Sequence, residues 1–273
     1  MVHHPLRWPK RVAMRLRNLT FGAAVCLWAG VGLGAAKVAA LFRLPAVERR
    51  PLPADFLSIE EPSGMDLLRD TSRLDYELVA PHFVPQQRPN WSAPATVAIL
   101  HNAFQVTGAR LAAQDEVFDH SADPMVGFLT SWRGASLPDT ARLMESNGLH
   151  ASINYAEDAN PRALRERLQD SGEDSADVVV VEFERSQLGL AGGRHVSVVG
   201  AYHAGTDRVL ILDTASHAYP SAWIPLESLF TGMSALDPVS QQSGGWITVR
   251  RGERVASRTH AGALWSPRAQ HAP

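Results

Sequence analysis

Between Trp91 and Phe104 apolar positions follow one another almost without a break, through Ala93, Ala95, Val97, Ala98, Ile99, Leu100 and Ala103. A segment apolar on all sides predicts a buried helix, here over Ala93–Phe104. Ser92 stands at its start as an N-cap residue type, and Pro94 falls in the first turn, where a missing N–H costs little. Leu137 to Gly148 has helical spacing with a glycine stop, Leu149–Tyr155 is a short strand, and Asn160–Gln169 is a charged amphipathic helix opened by Asn160 and Pro161. From Asp177 the period changes. Val178-Val179-Val180-Val181 is a continuous apolar run suited to a central strand over Asp177–Phe183. A glycine-rich turn, Gly189–Arg194, leads to a strand over His195–Tyr202, a hairpin loop at Ala204–Asp207 and a strand over Arg208–Asp213. A short helix follows Pro225, and Gly244–Arg250 closes the sheet. Ser63–Leu78 has room for a short helix, Phe83–Pro89 is extended by its prolines, and Gly108–Arg133 reads as irregular. The pattern predicts an α+β fold, a helical part first and an antiparallel sheet after it.

The first forty residues depart from this. Arg7, Lys10, Arg11, Arg15 and Arg17 precede an apolar stretch from Leu19 to Ala36. A basic run before such a stretch predicts a membrane segment, either an uncleaved signal-anchor or a signal peptide. The positive-inside rule keeps the basic end cytoplasmic and exports the rest. The expected location is therefore the inner membrane with the domain on the periplasmic side, or the periplasm itself if the segment is removed. The segmentation reads as a basic segment over 1–18, the membrane or signal segment over 19–40, a linker with a short helix over 41–80, a main domain over 81–251 and a loose tail over 252–273. The chain has 273 residues, 45% of them hydrophobic, which suits one globular domain plus tails. A net charge of −2 gives no electrostatic case for nucleic acid. The single cysteine, Cys26, lies inside the apolar stretch, so the main domain has no thiol for a nucleophile, a disulfide or a metal.

Four residues carry candidate chemistry. A side chain at a helix N-terminus lies at the positive end of the dipole, beside amides that can receive an oxyanion, which is the place of Ser92. His195 starts a strand after the glycine turn and Asp213 ends the next. If those strands pair, an imidazole and a carboxylate come within reach of each other, and a serine with a carboxylate-oriented histidine is triad logic. Gln86 stands six residues before Ser92 and has an amide to offer an oxyanion. Each has a plainer reading on its own: a capping serine, a hydrogen-bonded structural histidine, a turn aspartate and a solvent-facing glutamine. The remaining histidines and the acidic residues Asp115, Glu116, Asp119 and Asp123 match no metal-ligand spacing, so no metal site is predicted.

Three ordered blocks resemble the phytochelatin synthase family, whose fold is papain-like. The first is Gln86 with Asn90-Trp91-Ser92-Ala93 and the apolar helix through His101-Asn102-Ala103. The second is Gly192-Gly193-Arg194-His195 through His203. The third is Leu210-Ile211-Leu212-Asp213-Thr214-Ala215 with Tyr219-Pro220, Trp223 and Pro225-Leu226. The likeness is to the short bacterial forms and runs from about Phe83 to Trp246. It implies a helical part packed on an antiparallel sheet. It also implies γ-glutamylcysteinyl transfer or glycine release from glutathione through an acyl-enzyme, linked to metal-ion response. Ser92, His195, Asp213 and Gln86 then take the catalytic places, with Arg185 and Tyr219 at the substrate. The only cofactor it brings in is a divalent metal ion carried as a metal–glutathione complex, and the partners are glutathione or a related γ-peptide and, through the N-terminal segment, the membrane.

This sequence departs from the family pattern where the chemistry matters. Ser92 and Ala93 stand in place of the family's cysteine and glycine, and Ser216 and Ala218 replace a basic pair before the tyrosine. A serine hydroxyl is far less acidic than a thiol, so His195 must take the proton during attack. Three readings stay open: an acyl-transferase or peptidase of the family type running on serine, an anchored pseudoenzyme that binds a thiol peptide or protein partner without cleaving it, and a serine hydrolase with a drifted substrate choice.

Overall fold

The computed structural model describes residues 47–106, 113–173, 177–238 and 240–251, together with Ala39 and Arg43. In chain order its elements are β1 (Leu57–Ser58), α1 (Pro62–Arg69), α2 (Leu74–Val79), α3 (Ser92–Ala103), α4 (Val126–Arg133), α5 (Leu137–Ser146), β2 (Leu149–Tyr155), α6 (Pro161–Glu173), β3 (Asp177–Glu184), β4 (Arg194–His203), β5 (Arg208–Leu212), β6 (Ala222–Pro225), α7 (Leu226–Ser234) and β7 (Gly245–Arg251). The strands form one antiparallel sheet in the order β1-β6-β5-β4-β3-β7-β2. The mixed helical and antiparallel architecture expected from the pattern is present.

The valine run explains the layering. Val178 and Val180 point into one core with Val97, Ile99 and Leu100 of α3 and Leu143 of α5. Val179, Val181 and Phe183 point into a second core with Leu164 and Leu168 of α6 and Leu226, Leu229 and Met233 of α7. A strand covered on both faces needs apolar side chains at every position, which is why β3 does not alternate. The helices are therefore not confined to one side: α6 and α7 cover the face opposite α3. Each fully buried aliphatic side chain contributes about 1.5–3 kcal/mol of transfer free energy.

Helix α3 lies wholly inside, with all twelve of its residues buried. α5 is opened by a capping box in which the Asp139 amide donates to Ser136 Oγ and the Ser136 amide donates to Asp139 Oδ2. Gly148 ends it at φ +75°, as the glycine stop implies, and a Cβ there would meet Val106 Cγ1 at 2.7 Å. α6 runs four residues further than its pattern indicates and is capped by Asn160, whose Oδ1 accepts from the Ala163 amide.

Two segments differ from expectation. Val126–Arg133 is helical, although the 108–133 region reads as irregular; its N-cap is Met125, not a capping residue type, so no start signal marks it. Residues 47–61 join the sheet edge. The Glu48 and Arg50 amides donate to the carbonyls of His217 and Ala218, and β1 pairs with β6. Among the described residues no helix is long and apolar enough to cross a membrane. The expected segment at 19–40 falls, apart from Ala39, outside the described residues, as does the tail from 252 onward.

Candidate active site

Ser92 is the first residue of α3, not its cap; Trp91 takes the N-cap position. The serine hydroxyl therefore does not cap a helical amide. It accepts a hydrogen bond at 3.2 Å from the Val196 amide of β4. The β4–β5 register runs out at Val198 opposite Leu212, so β4 extends past its neighbour just where the start of α3 abuts it. The plain capping role is thereby removed, and the hydroxyl is buried where helix and sheet meet. The first intrahelical bond is from the Ala95 amide to the Trp91 carbonyl. The Ser92 and Ala93 amides precede it, at the positive end of the helix, where no intrahelical carbonyl reaches them.

The loop before Ser92 is held from two sides. Asn90 Nδ2 donates to the carbonyls of Ser131 and Trp132, and the Trp91 indole donates to Ser131 Oγ at 2.8 Å, so both are anchored on α4. The Arg88 guanidinium stacks over the Trp91 ring at 4.0 Å. On the other side Gln86 is buried. Its amide nitrogen donates to the carbonyls of Arg88 and Pro89, its Oε1 accepts from Thr214 Oγ1 at 3.4 Å, and its backbone amide donates to the Thr214 carbonyl. Both N–H bonds of this amide are thus committed to the loop. In this state Gln86 ties the serine loop to the turn after Asp213.

Strands β4 and β5 pair as expected, and the chain just past β5 brings Asp213 to His195. His195 Nε2 lies 2.9 Å from Asp213 Oδ1. The approach is close but off the line of the ring N–H, so it falls short of an aligned hydrogen bond. The imidazole packs edge-on to Phe183, its pairing partner on β3. With Nε2 at the carboxylate, Nδ1 is the ring nitrogen left over, and the neighbouring Val196 amide is what holds the Ser92 hydroxyl. The His195 and Ser92 side chains line one cavity of about 570 Å3.

Arg185 does something the sequence did not indicate. One of its nitrogens lies 2.6 Å from each oxygen of Asp213, with both side chains buried. The Ala215 amide adds a further bond to Asp213 Oδ1 at 2.8 Å. Burial alone would raise the Asp213 pKa; His195 and Arg185 outweigh it and hold this carboxyl far below the usual range. His195 moves the other way. Burial first, then the Arg185 charge, lower its pKa against the pull of Asp213, so the imidazole rests neutral at pH 7. That is the state a serine needs in its base.

Tyr219 sits under Arg185, the guanidinium 5.3 Å from the ring centre, and its hydroxyl accepts from the Ala191 amide. It braces the glycine-rich turn. In that turn Gly192 has φ +110°, and a Cβ there would come within 3.2 Å of Arg185 Cδ, so glycine permits the close approach. Ser92, His195 and Asp213 are thus brought together, while Gln86, Arg185 and Tyr219 hold the parts in place. The sequence also passed over Arg50, Arg133 and Arg194 as lining residues of the cavity. Among the described residues no three His, Cys, Asp or Glu side chains gather as a metal site.

The family model described as phytochelatin synthase matches residues 47–246. Curated relatives include glutathione gamma-glutamylcysteinyltransferase 3 of Lotus japonicus, 26% identical over 67% of this chain and 38% of that protein. Glutathione gamma-glutamylcysteinyltransferase 1 of the same plant is 28% identical over 66% of this chain and 36% of its own length. The Schizosaccharomyces pombe enzyme of that name is 24% identical over 73% and 50%. The matched part of the chain thus spans half or less of these relatives. Among solved structures, the N-terminal peptidase C39-like domain of a toxin secretion ATP-binding protein from Vibrio parahaemolyticus aligns over 57% of this chain and 95% of that one. Its TM-score of 0.30 at 16% identity is too slight a likeness to define the fold. The family match covers most of the chain and takes in the serine block, the histidine strand and the aspartate turn, and on that ground the chain belongs to the phytochelatin synthase family.

Proposed function

We propose that this protein is an acyl-transfer enzyme acting on glutathione, with Ser92 as nucleophile. The observation that carries this reading is the buried His195–Asp213 pair beside Ser92 in one cavity, at a helix N-terminus. The printed names of the relatives supply the substrate class.

In this reading Ser92 Oγ attacks the carbonyl carbon of the cysteinyl–glycine bond and His195 Nδ1 takes its proton. The Ser92 and Ala93 amides face the oxyanion. The C–N bond then breaks, the proton passes from His195 to the leaving glycine amine, and a γ-glutamylcysteinyl ester remains on Ser92. Water, activated by the same imidazole, releases γ-glutamylcysteine. The amine of a second peptide releases a longer chain. Asp213 steadies the transient imidazolium, and Arg185 limits how far it raises the basicity of His195. A divalent ion enters only as part of the substrate, as a thiolate complex. The apolar stretch over 19–36, with its basic flank, supports placing this chemistry on the periplasmic side of an inner membrane.

A second reading has its own support. The Ser92 hydroxyl is engaged by the Val196 amide, and both N–H bonds of Gln86 are taken by carbonyls. An anchored pseudoenzyme that binds a thiol peptide or a protein partner would tolerate both. One experiment separates the two readings. The full chain is incubated with glutathione, with and without a divalent metal, and products are followed by mass spectrometry beside Ser92→Ala and Ser92→Cys. Glycine release by the natural protein and not by Ser92→Ala supports the enzyme. Turnover by Ser92→Cys alone supports the pseudoenzyme. Turnover that survives Ser92→Ala removes Ser92 from the mechanism.

A further inference from the structure

The four arginines lining the cavity differ in how firmly they are held. Arg185 is locked on Asp213. Arg194 donates to the Ala235 carbonyl and lies 3.7 Å from buried Glu182. Arg133 is 3.4 Å from Asp139, which also holds Arg142. Arg50 pairs with Glu48 at 3.3 Å, both side chains exposed, and meets the Tyr219 hydroxyl more weakly. An exposed pair of this kind exchanges easily for another carboxylate.

The backbone at Arg50 is fixed more firmly than its side chain. Its amide donates to the Ala218 carbonyl, and the Glu48 amide to that of His217. The strap thus runs beside the turn after Asp213. The residues lining the cavity here include Ala191, Gly192, Gly193, Ala215 and Ala218, all small, which leaves space for a long guanidinium side chain.

We propose that Arg50 is a ligand-binding residue of this cavity, its guanidinium exchanging Glu48 for a carboxylate of the bound peptide. The strap over residues 47–50 is then a wall of the binding site, and the ligand class is a short peptide with a free carboxylate. This rests on the reading of the cavity as a glutathione site and adds to it a residue lying outside the three sequence blocks.

The test is calorimetric titration of the full chain carrying Ser92→Ala, with and without Arg50→Ala. Three ligands are used: glutathione, its glycine ethyl ester, and an analogue in which 4-aminobutyrate replaces the γ-glutamyl residue and so removes its carboxylate. A charge-assisted contact of this kind predicts about a tenfold loss of glutathione affinity on Arg50→Ala. One of the two analogues should be insensitive to that substitution, naming the carboxylate held, and Arg50→Lys should recover part of the affinity. The backbone bonds of residue 50 survive substitution, so the unfolding midpoint should not move. Unchanged glutathione affinity in Arg50→Ala overturns the inference alone, as does an equal loss for all three ligands. Absence of glutathione binding to the Ser92→Ala chain itself overturns the reading of the cavity and this inference with it.

Discussion

A single nitrogen of Arg185 lies 2.6 Å from both carboxylate oxygens of Asp213, the residue that also faces His195. The carboxylate that would orient a catalytic base is therefore already neutralised. Its pull on the imidazole is reduced, and His195 stays uncharged at rest.

Replacing Arg185 by Ala should change both stability and pH dependence. Removing one member of a buried ion pair leaves the other charge uncompensated, at a cost of about 3 kcal/mol in denaturant unfolding. The surviving Asp213 charge would then act on His195 alone and raise its pKa. A rate that needs neutral His195 falls on the acid side, and in the natural protein that fall lies below the ordinary histidine value. In Arg185→Ala the acid limb should move to higher pH. A pH–rate profile of glycine release checks the shift.

Ser92→Ala should leave the fold intact. The Val196 amide loses its acceptor, so the expected loss in denaturant unfolding is about 1 kcal/mol. A much larger loss would mark Ser92 as chiefly structural.

Asn90→Ala should lower turnover more than stability. Its side chain binds two carbonyls of α4 and sets the loop two residues before Ser92. Slack of about 1 Å at a nucleophile costs on the order of a hundredfold in rate. The expected result is a fall in kcat for glycine release with KM little changed and an unfolding midpoint close to that of the natural protein.

Asp75 predicts a pH dependence of stability away from the site. Burial raises its pKa to about 7, with nearby Asp177 adding to the effect and the Ser171 hydroxyl opposing it. The folded state then holds this proton more tightly than the unfolded state. The resulting stabilisation is full below the ordinary aspartate value and is lost as pH rises through about 7. Asp75→Asn removes that loss. Its stability relative to the natural protein should grow by about 2 kcal/mol between pH 5 and pH 8. Urea unfolding at the two pH values measures it.

Much of this architecture could be read locally. The valine run gave a central strand, Gly148 a helix stop, Asn160 a cap, and the loop between β4 and β5 a hairpin. Each is written in a few adjacent residues. The pairing of β4 with β5 also followed, and with it the nearness of His195 and Asp213. What escaped depends on residues far apart in the chain. Arg185 meets Asp213 across 28 positions, and Ser92 meets Val196 across 104. No periodicity records such contacts. Gln86 was recognised as a residue of the site, but its bonds to Arg88 and Pro89 depend on a loop conformation that composition does not encode. The strap at residues 47–50 looked like a linker because prolines and charges dominate it. Its backbone bonds to residues 217 and 218 use no side chain at all.

The all-round burial of α3 has a dynamic consequence. Amides in a helix with no solvent-facing stripe exchange with deuterium only when a large part of the molecule opens. Protection factors along Ala95–Ala103 should therefore match the free energy of global unfolding, well above those of the exposed helix α4. Ser92 sits at the end of this segment, so on the acyl-transfer reading the motion needed to admit and release a peptide falls to the opposite walls of the cavity.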